Sequence, residues 1–193
     1  MTTKVVMPTD QWITLANVQK NLAKTKAEIL QFQWLSDQGS MTNRLIEAAD
    51  FPLTVKVMSS SDKTIENEER SFLKITANQS YVREVIMSIN NNPWLYGRTV
   101  IPQQTLQGEG FALKLLGDKP LGQLLFKNEL NSRQFIEVAI ITKYHQLYPL
   151  FAMNDKQQEN LWARRSLFLF NGSPLLVQEV FMPSCPFLDA SLE

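Results

Sequence analysis

Residues 81–102, YVREVIMSINNNPWLYGRTVIP, decide the fold. They read as two strands joined by a polar turn at Asn90-Asn91-Asn92-Pro93. In a strand, successive side chains point to opposite faces. Tyr81, Arg83, Val85, Met87 and Ile89 therefore share one face, and Val82, Glu84, Ile86 and Ser88 share the other. A guanidinium on an apolar face is costly unless an anion meets it. Arg83 thus raises the question of what it meets.

A second hairpin stands at the far end of the chain. Arg164–Phe170 and Pro174–Met182 flank Asn171-Gly172, a strong two-residue hairpin signal. A further strand is expected at 53–58, where Leu53, Val55 and Val57 alternate with Thr54, Lys56 and Met58. Helical spacing over Gln11–Leu35 predicts one long helix or two short ones, with Asp10 as N-cap and Gly39 as the stop. Ser40 caps a short helix reaching about Ala49. Helices are also expected at Thr105–Leu116, at Leu121–Lys127 behind Pro120, and from Ser132 to Tyr148. The charged run Glu66–Arg70 is expected in a solvated loop or strand edge. Together these predict one α+β domain, 1–193, on an antiparallel sheet of about six strands. Residues 1–9 read as a disordered leader.

Composition narrows the function classes. Nineteen basic and nineteen acidic residues give no net charge, which argues against a nucleic-acid surface. One cysteine, Cys185, excludes an internal disulfide and fits a reducing compartment. With one histidine, His145, besides it, a structural zinc site is not expected. The first residues lack the apolar core of a secretion signal, and no apolar run is long enough to span a bilayer. A cytoplasmic protein without stable membrane insertion is expected. No phosphate-cradling glycine loop or dinucleotide fingerprint occurs, and nothing in the sequence pairs His145 with Cys185.

The last strand repeats the puzzle of the first. Leu175, Val177, Glu179 and Phe181 share a face, so Glu179 lies among apolar side chains. Two readings stand open. Arg83 and Glu179 pair as a core salt bridge, or both face a polar ligand over the sheet. The helix starts at Ser40-Met41-Thr42 and Lys119-Pro120-Leu121 offer backbone N–H groups that can cap themselves or bind a carboxylate. For Arg164-Arg165 the phase does not decide between ligand and water.

Six ordered blocks carry a resemblance. SMTNR at 40–44, YVREV at 81–85, PWLYGRTVIP at 93–102, LGDKPLGQLLF at 116–126, WARRS at 162–166 and PLLVQEVFMP at 174–183 resemble the chorismate pyruvate-lyase family. The likeness spans roughly residues 30–187. It implies an α+β domain with helical flaps over the ligand, and conversion of chorismate to 4-hydroxybenzoate and pyruvate. It also implies no metal or organic cofactor and a place at the first step of ubiquinone synthesis. A monomer with small-molecule ligands, and no nucleic-acid partner, is expected.

The family's ligand contacts fall on Met41, Arg83, Leu121 and Glu179. Met41 and Leu121 would act through backbone N–H groups. Arg83 would stabilise the departing enolpyruvate oxygen or fix a carboxylate. Glu179 would accept a hydrogen bond from the C4 hydroxyl or act as a base. Gly97 would leave room for the ring. Arg83→Ala is accordingly expected to cost far more activity than Arg164→Ala. The N-terminal extension, an insertion at 141–160 and the tail after Phe187 depart from the family pattern but touch none of these positions. The alternative is an aromatic-acid binding module of the same fold, as in the sensing domains of transcription regulators. Such modules usually follow a winged helix-turn-helix, for which residues 1–39 are too short.

Overall fold

The computed structural model describes residues 8–21, 25–148 and 160–185. Seven strands form one sheet in which all neighbours run antiparallel, in the order β1-β5-β6-β7-β4-β3-β2. They are β1 (Ile13–Thr14), β2 (Leu53–Thr64), β3 (Gln79–Ile89), β4 (Asn92–Ile101), β5 (Ser132–Thr142), β6 (Asn160–Phe170) and β7 (Ser173–Phe181). The five strands located in the sequence, with about six expected, become seven: Ile13–Thr14 adds a two-residue edge strand, and the strand it pairs with, β5, was itself read as a helix. Both hairpins turn as their sequences require. Asn90, Asn91, Asn171 and Gly172 all have positive φ, the conformation of a two-residue turn that matches strand twist. The first turn is tighter than read, since β4 already begins at Asn92.

Five helices accompany the sheet among the described residues: α1 (Leu15–Asn21), α2 (Lys26–Leu35), α3 (Met41–Glu47), α4 (Asn67–Leu73) and α5 (Gly122–Leu125). α2 and α3 lie over one face, where Trp34, Leu35, Met41 and Leu45 pack with Val85, Met87, Leu95, Val138, Trp162 and Phe181. We call this face inner. On the outer face Phe72 and Leu73 of α4 pack against Val82, Val100 and Leu176. β4 is followed not by its neighbour in the sheet but by β5, two strands beyond β7. The connecting segment crosses over the inner face, and its Leu106, Leu113, Leu121 and Leu125 pack on Tyr81, Phe168 and Leu175.

Four expectations are corrected. Residues 132–142 are a strand, not a helix. β5 lies inside the sheet with both faces covered, so Phe135–Ile141 is a nearly continuous apolar run that periodicity cannot separate from a buried helix. The Glu66–Arg70 run is a capped helix start. Glu66 and Glu69 form a capping box, and Glu69 is buried against Arg98 of β4. Asp10 caps no helix; its carboxylate accepts from Thr142 N and Oγ1, both at 2.7 Å, and ties the chain to the end of β5. Residues 105–116 form two 3₁₀ segments, Gln103–Leu106 and Gly108–Leu113, broken where Gly108 takes positive φ.

Of the expected insertion, 143–148 fold back on the outer face, where Leu147 and Tyr148 join Tyr96, Val180 and Met182. Residues 149–159, the leader 1–7 and the tail beyond Cys185 lie outside the described residues.

Candidate active site

The inner face of β3, β4 and β7 floors a cavity roofed by α3 and α5. Met41, Arg83, Leu121 and Glu179 all line it, with Val85, Met87, Gly97, Thr99 and Val177 between them. The enclosed space is small, about 40 Å³ open to the centre of a water-sized sphere. Gly97 sits in the floor between the two charged residues: it pairs with Val85 on one side and Glu179 on the other. A Cβ there would stand 3.2 Å from Val85 Cγ2 and would take up space under the roof.

Arg83 and Glu179 do not pair. Both Arg83 hydrogen bonds come from Nη2, to the carbonyls of Gly117 (2.9 Å) and Lys119 (3.0 Å). These carbonyls belong to the loop that leads into α5. Burial pushes the Arg83 pKa down, and the nearby Asp118 opposes it only in part. Arg83 is 3 % exposed and holds no carboxylate among the described residues. Its Nε and Nη1 are the donors left for a ligand.

Glu179 pairs instead with Arg164 of β6, directly across the ladder. Arg164 is fully buried on the inner face and also donates from Nη1 to the carbonyl of Asp37 at 3.0 Å. Arg164 Nε takes Glu179 Oε2, so Oε1 is left for a hydroxyl donor. Arg165 faces the other way. It bonds Glu137 and Glu68 and stacks on Trp12 and Phe72 on the outer face.

The roof is made of two helix starts in contact. Ser40 caps α3 by accepting from Asn43 N at 3.4 Å, and no backbone carbonyl among the described residues takes the Met41 N–H. At the start of α5 the same holds for Leu121. A Cβ at Gly122 would stand only 2.6 Å from Ser40 Oγ, so glycine is what lets the two starts meet. Free N–H groups of this kind favour an anion or a carbonyl oxygen between them.

One lining residue escaped the sequence reading. Arg133, the second residue of β5, enters the cavity wall with its guanidinium 4.6 Å from the Phe168 ring centroid and 5.5 Å from that of Phe126. It lay in a segment expected to be helical. Its signal in the sequence was its place opposite Phe168, legible only once β5 is read as a strand beside β6. His145 and Cys185 stand on opposite faces of the sheet, His145 against Trp12 and Cys185 in the inner core, so they form no nucleophile pair.

The family model described as chorismate lyase matches residues 12–190. A chorismate pyruvate-lyase of Pectobacterium atrosepticum is 36% identical over 155 residues, which cover 79% of this chain and 77% of that protein. A probable chorismate pyruvate-lyase of Pseudomonas aeruginosa is 37% identical over 153 residues, 78% of this chain and 82% of its own. Among solved structures, PhnF from Mycobacterium smegmatis superposes with a TM-score of 0.57 at 9% identity, covering 76% of this chain and 65% of its own. The ligand-binding domain of a GntR-family transcriptional regulator from Bordetella bronchiseptica gives 0.52 at 13% identity, covering 75% and 92%. Those two likenesses show a shared fold.

Proposed function

Because the chain belongs to the chorismate lyase family, we infer that the cavity under α3 and α5 is where it splits chorismate into 4-hydroxybenzoate and pyruvate. The protein is a carbon–oxygen lyase. In the reaction the C3–O ether bond breaks and the C4 hydrogen leaves the ring. The C3–C4 bond becomes part of an aromatic ring, and the hydrogen ends on the enolpyruvyl methylene, which becomes the methyl of pyruvate. Atoms balance without water or a redox partner, and the transfer can occur within the substrate. The protein's part is then to hold the reactive geometry and meet the charge that develops on the ether oxygen.

The observation that carries the site assignment is the placing of Arg83 and Glu179 at the two ends of the Gly97 gap. They lie two strands apart and two residues out of step, roughly 12 Å between Cα atoms. The ring carboxylate and the C4 hydroxyl of chorismate are para to each other. Arg83 at the carboxylate and Glu179 Oε1 at the hydroxyl fit that span, with the ring over Gly97. In this reading Arg83 is the carboxylate anchor and stands away from the C3 ether. The Met41 and Leu121 N–H groups would close on the ligand from above.

The binding-module alternative rests on fold neighbours alone, whereas the enzyme reading rests on relatives matched over most of their length. No helix among the described residues is long and apolar enough to cross a membrane. We assign the protein to the cytoplasm and to the first step of ubiquinone synthesis, where 4-hydroxybenzoate is the product required. The test is direct. Purified protein given chorismate and a chelator should release 4-hydroxybenzoate and pyruvate in equal amounts. Aromatic product without pyruvate would overturn the assignment.

A further inference from the structure

The four residues assigned above account for one carboxylate and one hydroxyl of the substrate. Chorismate carries a second carboxylate on the enolpyruvyl arm, and nothing yet described receives it. The charges around the cavity leave room for it. Arg83 and Arg133 line the cavity without a carboxylate in salt-bridge contact among the described residues, while Glu179, the one carboxylate in the lining, is already paired with Arg164 behind it, which leaves two cations facing a dianion.

We propose that Arg133 is the anchor for the enolpyruvyl carboxylate, a role that rests on the lyase reading of the cavity. Three observations support it. Arg133 holds no carboxylate among the described residues: its Nη1 donates to the carbonyl of Asp37 at 3.0 Å and its Nη2 to that of Gly39 at 3.3 Å. Its Nε is shut off from solvent and has no partner. Second, Arg133 Nη1 and Arg164 Nη1 donate to the same Asp37 carbonyl and Arg164 pairs with Glu179, which puts Arg133 at the Glu179 end of the cavity. The enolpyruvyl ether leaves the ring at C3, beside the C4 hydroxyl that Glu179 receives, so its carboxylate emerges at that same end. Third, burial and the adjacent Arg164 lower the Arg133 pKa to about 10, as expected for a cation short of an anion. Stacking on Phe126 and Phe168 fixes the plane of the guanidinium, which favours a two-point grip on a carboxylate.

Arg133 therefore sorts substrate from product. 4-Hydroxybenzoate lacks the arm and gains nothing from it. A residue that merely tethered the 37–39 loop would affect both ligands alike, because both lie under α3.

The experiment compares wild type with Arg133→Gln and Arg133→Lys. It measures kcat/KM for chorismate by pyruvate release and Kd for 4-hydroxybenzoate and for 3-(carboxymethoxy)-4-hydroxybenzoate, an unreactive ring that keeps an ether-linked carboxylate at C3. A hydrogen bond to a charged group corresponds to roughly a 10- to 150-fold effect. R133Q should lower kcat/KM and weaken the analogue by about that factor, while 4-hydroxybenzoate changes by less than about threefold. R133K, which keeps the charge, should recover about tenfold. Parallel weakening of both aromatic ligands, or no change in either, overturns the proposal. If R133Q fails to fold, R133K carries the comparison: it should weaken the analogue more than 4-hydroxybenzoate, and equal weakening overturns the proposal. If wild type leaves chorismate intact, the lyase reading fails, and preference for the analogue over 4-hydroxybenzoate still decides the role of Arg133.

Discussion

Removing Arg164 tests the way the site is built. Arg164→Met keeps an unbranched side chain of similar reach and deletes the charge. Arg164 is fully buried, and its partner Glu179 is 8 % exposed. Stripping one member from a buried ion pair leaves the other uncompensated and typically costs about 3–5 kcal/mol. The bond to the Asp37 carbonyl is lost as well. Glu179→Gln should cost less, about 1–3 kcal/mol, because the amide oxygen can still accept from Arg164 Nε. In the double variant neither charge remains, so the two losses should not add. A coupling of at least about 1.5 kcal/mol is expected, in the range found for close charge pairs. Urea unfolding followed by tryptophan fluorescence reads it out, since Trp34 and Trp162 both sit in the inner core. Turnover should behave differently from stability. Both single variants lose activity and the double variant recovers none, because no carboxylate remains to receive the C4 hydroxyl and no arginine remains to hold the side chain in place. Additivity within about 0.5 kcal/mol would refute the reasoning, as it would mean the two residues act independently. The pair also narrows the gap expected between Arg83→Ala and Arg164→Ala, since the latter releases Glu179 from its fixed position.

Arg83→Ala should lower kcat/KM for chorismate roughly 10- to 150-fold, the worth of a hydrogen bond to a charged group, with little recovery in Arg83→Lys, which cannot hold the Gly117 and Lys119 carbonyls and a carboxylate together; near-normal kcat/KM in Arg83→Ala would remove Arg83 from the site. Product release should limit the steady state, because 4-hydroxybenzoate keeps the contacts to Arg83 and Glu179 after pyruvate has left; a rapid-mix experiment should show a burst of product, and a linear course from the first turnover argues against it. Shortening the chain within 149–159 should leave that burst unchanged, because the flanking residues 143–148 pack on the outer face; faster release in the shortened protein would make this segment part of the roof. On the outer face, burial alone would push the Glu84 pKa up, but bonds from Lys63, Ser59 and Tyr96 and the charge of Arg98 hold it at about 2. Its folded pKa lies below its unfolded one, so its contribution is complete above the ordinary carboxylate range and fades as pH falls toward about 2; up to about 3 kcal/mol is at stake, and Glu84→Gln should flatten stability against pH between about 4.5 and 2 in acid titrations.

The legible parts of this fold were those with local rules. The two hairpins turn at Asn-Asn and Asn-Gly, and the phase of β3 and β7 put Arg83 and Glu179 each on an apolar face; that it is the same face follows from the strand order and register. Phase could not say which of the two open readings held, because partner choice depends on strand order. β6 lies beside β7 and β3 does not, so Glu179 meets Arg164 and Arg83 is left for the loop before α5. β5 was misread because both its faces are covered, and Arg133 was hidden with it. The acidic run 66–70 was read by charge density. Its partner, Arg98, lies on the outward phase of β4 directly across from Glu84. Buried pairing of that kind has no signature along the chain.

The two cations of the cavity share a design that links binding to closure. Arg83 holds the carbonyls of Gly117 and Lys119, just before α5, and Arg133 holds those of Asp37 and Gly39, just before α3. Each guanidinium keeps N–H groups that its roof loop does not use, Nε and Nη1 on Arg83 and Nε on Arg133, so it can meet a ligand carboxylate while holding its loop. An anion on those donors fixes the guanidinium in the orientation that the carbonyls need, and a closed roof fixes it in the orientation that the anion needs. Whatever closure gains from the ligand, the ligand gains equally from closure. The roof loops meet at Ser40 and Gly122, so closing one favours closing the other. A substrate with two carboxylates engages both loops, whereas either product alone engages one. The same arithmetic that makes chorismate close the site therefore makes departure of one product loosen it for the next.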